Sequence, residues 1–458
     1  MFRSFFTFLA IFVATSTFYS SRNKKNPVFK AFSLASNFQS LMDTRSSDDE
    51  ISCLNGLRVI FIMTVVYIHR ADTLIWLCSK FNVRDMYEVF YTMLPVTLDL
   101  GDLSVDGFIL ISGIVLAYNF FRKRLKNIEF NVIKFYMERY FRLTPMLACV
   151  ILYYSTLLIH QGQGPIWYTM VEEEEQCNKN WWAGLLHVTN YIDPKCVEQS
   201  YYVALDFQFY LLSPLFLLPL HRKPKIGFLL LATASLVSSL AATVNSYVKH
   251  IGTGNIIRYV TDRNTVLNDG SNYYGIHYRV PSFCMGLALG YFLFQVKIKK
   301  HDFIPSKRFW WLGWTTSVLM LIGFVLVTAI VCDPNHKFSP WLDPLYLGFQ
   351  RPVYCAAVGW IIFACSLGHG GLVNRFLSWT VFRPLGKLTY CVFLIHIIFV
   401  YGQVYSIQDP VVYSFIDMLY LLNGDLMISS ALAFVCYLTV EAPCSRLASY
   451  LLSGKSTK

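Results

Sequence analysis

Arg58 and His69 are two ionisable residues in one apolar run of the sequence, eleven positions apart. On a helix of about 3.6 residues per turn this spacing returns to nearly the same face, about 16 to 17 Å along the axis. We therefore expect both side chains to point into one cavity. A histidine there could take a proton from a hydroxyl group, and an arginine could hold an anion such as a phosphate-bearing thioester carrier. Alternatively, Arg58 extends to lipid headgroups and His69 makes a structural hydrogen bond.

Three carboxylates, Asp99, Asp102 and Asp106, lie on the next apolar run and share a helix face because they are spaced by three and four residues. We expect Asp99 and Asp102 at the wet mouth of the helix. Asp106 lies deeper, where a charge is costly in lipid, so either an arginine or histidine partner or a solvated position is expected. Arg279 and Arg351 begin later spans, and we expect them to extend to the lipid headgroups.

Five further ionisable residues lie in or beside apolar runs. Arg139 and Arg142 share one helix face, where they either bind an anionic donor or anchor the helix end by positive charge. Asp206 is either a catalytic group or a structural partner of another helix. His396 and Glu441 stand in the last two runs, where a structural role is the commoner outcome and catalysis is the alternative.

The composition indicates a membrane protein. Of the 458 residues, 55% are hydrophobic and only 15% are charged, and the mean hydropathy is +0.44, which is too apolar for a soluble chain of this length. Apolar runs of about 20 residues, long enough to cross a bilayer, predict an all-α, polytopic transmembrane bundle of ten helices. These runs are Leu54 to Leu77, Leu98 to Phe121, Leu143 to His160, Tyr202 to Leu220, Ile226 to Val248, Tyr278 to Val296, Phe309 to Val331, Tyr346 to Leu367, Leu388 to Val404 and Ile428 to Leu452.

A further apolar run, Phe5 to Tyr19, precedes these ten. It is either a signal-peptide core or an additional anchor helix. We favour a retained helix, because Arg22, Lys24 and Lys25 follow it closely and no clear small-residue cleavage site stands before them.

Loop charges predict the orientation, because short cytoplasmic loops carry the excess of lysine and arginine. Every second loop is basic, the opposite loops are longer and more acidic, and the C-terminus is expected in the cytoplasm. The net charge of +11 therefore reflects topology and gives no support for nucleic-acid binding. The basic loops contain Arg122, Lys123, Arg124, Lys126 and Lys134, then Arg222, Lys223 and Lys225, then Lys297, Lys299, Lys300, Lys307 and Arg308, then Arg375, Arg383 and Lys387, and finally Lys455 and Lys458.

Two of the twelve cysteines, Cys177 and Cys196, lie in the large acidic loop. This loop faces an oxidising compartment in the predicted topology, so we expect a disulfide between them. Six of the others lie inside apolar runs, where cysteine behaves as a small hydrophobic residue. The cysteines have no metal-type spacing, and we predict no metal site.

Short motifs follow one another from about Leu54 to Ser445. They are Leu54-Asn55-Gly56-Leu57-Arg58 with His69, Ser104-Val105-Asp106-Gly107-Phe108 with Ser112-Gly113, Arg139-Tyr140-Phe141-Arg142-Leu143-Thr144-Pro145, Asp206-Phe207-Gln208-Phe209-Tyr210, Tyr278-Arg279-Val280-Pro281 with Gly286 and Gly290, Leu385-Gly386-Lys387-Leu388-Thr389-Tyr390 with His396, and Glu441-Ala442-Pro443. In this order they resemble the acyltransferase-3 family of membrane acyltransferases, and more narrowly its animal "nose resistant to fluoxetine" group.

The resemblance implies a ten-helix domain that moves an acyl group, often acetyl, from a coenzyme A thioester on the cytoplasmic side to a hydroxyl acceptor facing the other side. In that family the arginine and histidine of the first helix are held to be essential, and here they fall on Arg58 and His69. The paired arginines map to Arg139 and Arg142, and the aspartate of the second helix maps to Asp106. Many animal members carry a large extracellular domain first, which we do not expect here.

The sequence thus predicts an O-acyltransferase with His69 as general base, Arg58 as donor-binding residue and Asp106 as a further catalytic candidate. Acyl-CoA is the co-substrate, and the partners are membrane lipids and an unknown hydroxyl-bearing acceptor. A lipid or small-molecule transporter or membrane regulator with this fold is the alternative.

The membrane is either the endoplasmic reticulum or the plasma membrane. We expect an N-terminal hydrophobic segment and cytoplasmic linker at 1–50, the acyltransferase-like domain at 51–452 and a cytoplasmic tail at 453–458.

The topology makes a testable prediction, since the chain has no Asn-x-Ser/Thr acceptor of its own. Glu172→Asn with Glu174→Thr builds an acceptor in the acidic loop, and we expect it to be glycosylated in microsomes because this loop is non-cytoplasmic. Glu129→Thr is the control, because it completes an acceptor beginning at Asn127 in a basic loop that should stay unmodified. Gel mobility with and without glycosidase measures both, and modification of the control alone would reverse the topology.

Overall fold

The chain folds almost entirely into helices. The computed structural model describes residues 2–22, 26–45, 49–85, 94–252, 274–299, 305–333 and 335–452. Within these ranges there is no strand, only an isolated bridge between Lys80 and Val411. The all-α prediction is confirmed, while the predicted tail at 453–458 lies outside the described residues.

The α-helices follow in chain order, and a π-helical turn, Tyr437–Glu441, joins the last two. They are α1 (Phe2–Arg22), α2 (Pro27–Ala31), α3 (Leu34–Leu41), α4 (Cys53–Trp76), α5 (Leu94–Leu125), α6 (Val132–Tyr154), α7 (Tyr168–Leu185), α8 (Ser200–Leu212), α9 (Pro214–Arg222), α10 (Pro224–Lys249), α11 (Val280–Lys297), α12 (Lys307–Val331), α13 (Leu342–Ser366), α14 (Gly371–Leu377), α15 (Phe382–Tyr405), α16 (Phe415–Cys436) and α17 (Ala442–Leu452).

Nine helical segments of the described chain are long and apolar enough to cross a membrane, so the protein is an integral multi-pass membrane protein. They coincide with nine of the ten predicted spans. The remaining prediction, Leu143 to His160, is not one helix, because α6 ends at Tyr154 and a short 3-10 turn, Leu158–His160, follows. α6 begins eleven residues before the predicted start, at Val132, so much of its length carries charged residues.

The last predicted span, Ile428 to Leu452, also differs from the structure. The helical segment begins earlier, at Phe415, and is interrupted by the π-helical turn Tyr437–Glu441. The prediction for Tyr202 to Leu220 covers two helices that meet at Pro214. A proline begins the second helix because it lacks the N–H that a helix interior requires.

Glycines allow α5 and α11 to pack with their backbones in close approach. A Cβ at Gly113 of α5 would lie 2.8 Å from the carbonyl oxygen of Phe283, and one at Gly286 of α11 would overlap the carbonyl of Leu110. Small residues permit this approach between helices in a membrane, where packing replaces hydrophobic driving force. This contact fixes α5 and α11 relative to each other, and buried charges lie on or beside both helices.

The N-terminal stretch at 36–43 packs against the end of the bundle that carries Lys387 and Arg446, which we call the basic end. Lys387 of α15 donates to the backbone carbonyls of Ser40, Leu41 and Asp43 at 2.7, 3.1 and 3.3 Å. Arg446 of α17 donates to Ser36 Oγ at 2.8 Å. Because these cations are bound to the chain at 36–43, that stretch of the expected linker is part of the folded structure.

A buried ion pair joins α4 to the last long helix. Arg70 Nε and Nη2 lie 2.6 and 2.7 Å from the two carboxylate oxygens of Asp425, and Arg70 Nη1 donates to Gln403 Oε1 at 2.7 Å. The Arg70 side chain is only 1% exposed. This two-point contact holds α4 in place directly beside His69.

Asp425→Asn should destabilise the protein by about 3 to 5 kcal/mol, because it leaves the buried Arg70 charge without its partner. The double variant Arg70→Met/Asp425→Leu should be less destabilised than this single variant, since it removes both charges. Thermal unfolding of the purified protein in detergent measures the order of stability. Asp43→Asn, which breaks an exposed pair with Arg45, is the control and should not change the midpoint. Equal loss in the single and double variants would contradict the argument.

Candidate active site

Two cavities inside the bundle share one side chain in their walls. The large cavity has a volume of about 930 Å³ and is lined by Arg58 among others. The small cavity has a volume of about 20 Å³, room for about one water molecule, and is lined by His69. Phe393 of α15 lines both. Arg58 and His69, which we expected in one cavity, therefore line two, because the Phe393 ring occupies the wall that the cavities share.

Five arginines line the large cavity, and three of them interact with one another: Arg58 of α4 and Arg139 and Arg142 of α6. They lie close enough to repel one another electrostatically. The start of α6 is set by Asn131, whose side chain accepts a hydrogen bond from the backbone N–H of Lys134 at 2.9 Å. Such a cap fixes where the helix begins and hence which of its residues face the cavity. The predicted shared face of Arg139 and Arg142 is confirmed.

Arg139 is neutralised by a carboxylate, whereas the other two arginines are not. It forms an ion pair with Asp206 of α8, and Ser112 Oγ donates to the other oxygen of that carboxylate at 2.6 Å. Arg58 and Arg142 form no ion pair within the described ranges. Arg58 and Arg142 thus present uncompensated positive charge to the large cavity and favour an anion there. Asp206 takes the structural role that the sequence had left open.

Glu441 lines the large cavity from the π-helical turn. Pro443, two residues later, cannot donate to the carbonyl four positions before it, which is a physical reason for this local widening of the helix. The thiol of Cys391 donates to Glu441 Oε2 at 3.0 Å. Glu441 also interacts electrostatically with Arg142, so one carboxylate moderates the positive charge of the cavity without forming an ion pair.

The two predicted histidines, His69 of α4 and His396 of α15, lie side by side with ring centroids 5.1 Å apart. His396 is fully buried, and its Nδ1 lies 3.1 Å from the carbonyl oxygen of Val392. Because a carbonyl only accepts hydrogen bonds, Nδ1 carries the hydrogen and Nε2 carries a lone pair. His396 Nε2 has no hydrogen-bond partner among the described residues. A buried imidazole nitrogen with an unused lone pair therefore lies in the ring beside His69.

Asp102 of α5 lines the same small cavity as His69. The sequence had placed Asp102 at the wet mouth of its helix, together with Asp99, whose side chain lies outside the described part of the structure. Asp102 is instead half-buried in the bundle. The small cavity therefore contains a carboxylate and an imidazole in otherwise largely apolar surroundings.

Asp106, a predicted catalytic candidate, lines neither cavity. Its Oδ2 lies 2.8 Å from Arg279 Nη1 and 3.4 Å from Arg351 Nε, and Ser282 Oγ donates to its Oδ1 at 2.7 Å. The expectation that Arg279 and Arg351 extend to lipid headgroups is wrong, since both are buried and held by this carboxylate. The geometry gives Asp106 a structural role, as the charge that joins α5 to α11 and α13.

The end of the bundle beyond His69 is held by a disulfide. The structure joins Cys177 of α7 to Cys196, the pair expected from the sequence. Just after Cys196, the carboxylate of Glu198 accepts hydrogen bonds from Tyr274 at 2.7 Å and from Tyr401 at 3.4 Å. The loop between α7 and α8 is therefore held in place by a disulfide and by hydrogen bonds.

This loop end is acidic. Burial, together with the charges of Glu198 and Glu172, raises the pKa of Glu173 on α7 to about 7. Glu198 also interacts electrostatically with His69. The basic and the acidic ends of the bundle thus lie on opposite sides of His69.

Sequence reasoning missed several residues of the site. Arg70 could have been found, because it is an ionisable residue in the same apolar run as Arg58 and the same rule applies. Glu198 is one of several carboxylates in the large acidic loop, and nothing in the sequence distinguishes it from the others. Nothing in the sequence indicates a role for Phe393, since a phenylalanine in an apolar run is ordinary.

Comparison with known proteins identifies relatives over most of the chain. The family described as "Acyltransferase domain" matches residues 51–440. The chain is 26% identical to "Nose resistant to fluoxetine protein 6" of Caenorhabditis elegans over 93% of its own length and 54% of that protein. It is 23% identical to "Regulator of hypoxia-inducible factor 1" of the same organism over 92% of its length and 84% of that protein.

A bacterial protein is also similar. The chain is 25% identical to "O-acetyltransferase OatA" of Staphylococcus aureus over 78% of its length and 54% of that protein. It thus spans about half the length of the first and the last of these relatives. No solved structure matches the chain significantly.

Proposed function

This chain belongs to the acyltransferase family that matches residues 51–440, and we propose that it transfers an acyl group from acyl-CoA in the large cavity to a hydroxyl acceptor at His69. The protein is an acyltransferase enzyme; the donor, the acceptor and the residue roles are the proposal. The observation that carries it is the pair of uncompensated arginines, Arg58 and Arg142, facing a cavity of about 930 Å³. A volume of this size is in the range of known ligand pockets.

The large cavity has the charge that an acyl-CoA donor requires. Coenzyme A is a polyanion, and arginine binds phosphate oxygens at two points. An anion between Arg58, Arg139 and Arg142 would relieve the repulsion among them. Further cations line the cavity and suit the remaining phosphates. They are Lys123, Arg124, Lys134, Lys387 and Arg446.

His69 is the proposed general base. It takes the proton of the acceptor hydroxyl, the hydroxyl oxygen bonds to the thioester carbonyl carbon, the carbon–sulfur bond breaks, and the thiolate of coenzyme A leaves and is then protonated. His396 supports this step, because its Nε2 lone pair lies in the ring adjacent to His69. Asp102, in the wall of the same cavity, would stabilise the positive charge that His69 gains.

The charge of the two ends supports an orientation for the reaction. The basic end, with the large cavity, is proposed to face the cytoplasm, where acyl-CoA is made, and the same orientation would put the C-terminus on that side. The disulfide-bonded acidic end would face the endoplasmic reticulum lumen or the cell exterior and receive the acceptor. The name of the bacterial relative, an O-acetyltransferase, supports acetyl as the group transferred. Membrane lipids surround the bundle and are candidate acceptors.

A lipid or small-molecule transporter, or a membrane regulator that retains the fold, is the second candidate function. One observation favours it, because a relative covered over 84% of its length by this chain is called a regulator. Transport of hydrophobic cargo needs no general base. The two functions are therefore separated by removing His69.

His69→Ala should lower acyl transfer by about 100-fold or more, the size of a general-base contribution. Radiolabelled acetyl-CoA is added to membranes that contain the purified chain, and labelled lipid and protein are counted. His160→Ala is the matched control, because His160 is exposed in a short 3-10 turn away from both cavities, and it should retain full activity. Undiminished labelling by His69→Ala would rule out the catalytic role and favour the regulator or transporter.

Arg142→Gln should raise the KM for acyl-CoA about tenfold or more with a smaller effect on kcat, because a charge-assisted contact to a phosphate is worth about 1.5 to 3 kcal/mol. Initial rates over a range of donor concentrations separate the two constants. Arg122→Gln is the control, since Arg122 lies 3.6 Å from Asp49 outside the cavity wall. An unchanged KM in Arg142→Gln would place the donor elsewhere.

A further inference from the structure

Phe393 has a position that no other described residue shares, since it lines both the large and the small cavity. Its side chain is 4% exposed. The ring packs edge-on against Tyr202, with centroids 5.0 Å apart, and lies 6.0 Å from the ring of His396. An aromatic ring with contacts of this kind has a defined orientation. Phe393 is therefore an ordered partition between the two cavities.

The volumes on the two sides of this partition are very different. The large cavity measures about 930 Å³, whereas the small cavity measures about 20 Å³ and accepts about one water molecule. Val65, Ile68 and Val105 supply apolar walls to the small cavity. A thioester in the large cavity can reach His69 only if the Phe393 ring turns, and the space then opened is limited to about the volume of that ring.

Resting on the function proposed above, we propose that Phe393 determines acyl-chain specificity by admitting only a short acyl chain to the hydroxyl acceptor at His69. A longer chain would have to displace the apolar walls as well, and each further methylene that does not fit a closed apolar pocket costs about tenfold or more in rate. The bonds made and broken remain those of thioester attack by the acceptor oxygen. Phe393 acts on the size of the acyl group and takes no part in proton transfer.

Phe108 offers a matched control. It is an aromatic residue of α5 that also lies near Tyr202, with ring centroids 6.0 Å apart, and it lines the large cavity but not the small one. Its truncation enlarges the donor side alone. Specificity that depends on the partition should respond to Phe393 and not to Phe108.

The first experiment compares acetyl-, propionyl-, butyryl- and hexanoyl-CoA as donors for the full chain in lipid vesicles. We expect the wild type to prefer acetyl. Phe393→Ala should raise the ratio of kcat/KM for butyryl to that for acetyl at least tenfold, while Phe108→Ala leaves it unchanged. Phe393→Leu, which keeps more of the side-chain volume, should shift the butyryl-to-acetyl ratio in the same direction. It replaces the alanine variant in the test if that variant does not fold. An unchanged ratio in a folded Phe393 variant, or an equal shift in Phe108→Ala, overturns the proposal.

The second experiment measures whether Phe393 blocks access to position 69, and it does not depend on enzyme activity. In His69→Cys, a small anionic methanethiosulfonate applied from the basic end should label residue 69 slowly, and adding Phe393→Ala should speed this labelling at least tenfold. The chain with His69 intact gives the background from native cysteines. Equal labelling rates overturn the partition. Absence of transfer from every acyl-CoA by the wild type would instead overturn the proposed function, and with it the assignment of acyl specificity.

Discussion

The cost of a charge inside an apolar bundle governs the arrangement of this protein. Asp106, Asp206 and Asp425 each compensate arginine side chains that come from other helices. These contacts fix α4, α5, α6, α8, α11, α13 and α16 relative to one another. Arg58 and Arg142, by contrast, have no ion-pair partner among the described residues, and they face a cavity of about 930 Å³. The same physical rule thus explains both the rigid framework and the site that is prepared for an anion.

The position of this anion site follows from the helices that carry it. α6 extends well before the apolar part of its sequence and brings its charged turns into the bundle, while α15 and the π-helical turn close the opposite wall. The N-terminal stretch at 36–43 is bound to α15 and α17 at this end. A basic cavity open at one end of the bundle suits a soluble polyanionic donor and leaves the other end for the acceptor.

The proposed acceptor site lies at the small cavity beside His69. His69 and His396 come from helices far apart in sequence and lie with ring centroids 5.1 Å apart, beside a small cavity that also contains Asp102. Phe393 separates this cavity from the large one. Because an enclosed site strengthens every electrostatic interaction within it, the partition would serve both selection of the acyl group and exclusion of water from the thioester in the proposed reaction.

The sequence by itself determined the membrane fold and nearly all the spans, and it singled out Arg58 and His69 as candidate site residues, because hydropathy and intramembrane charge are local properties of the chain. It also indicated the Cys177–Cys196 pairing. Only the tertiary structure decided which partner each charge has: Asp106 pairs with Arg279 and Arg351, and Asp206 pairs with Arg139. Partners and partitions such as Phe393 depend on side chains from different helices meeting in space, and the order of residues along one chain contains no direct measure of that distance.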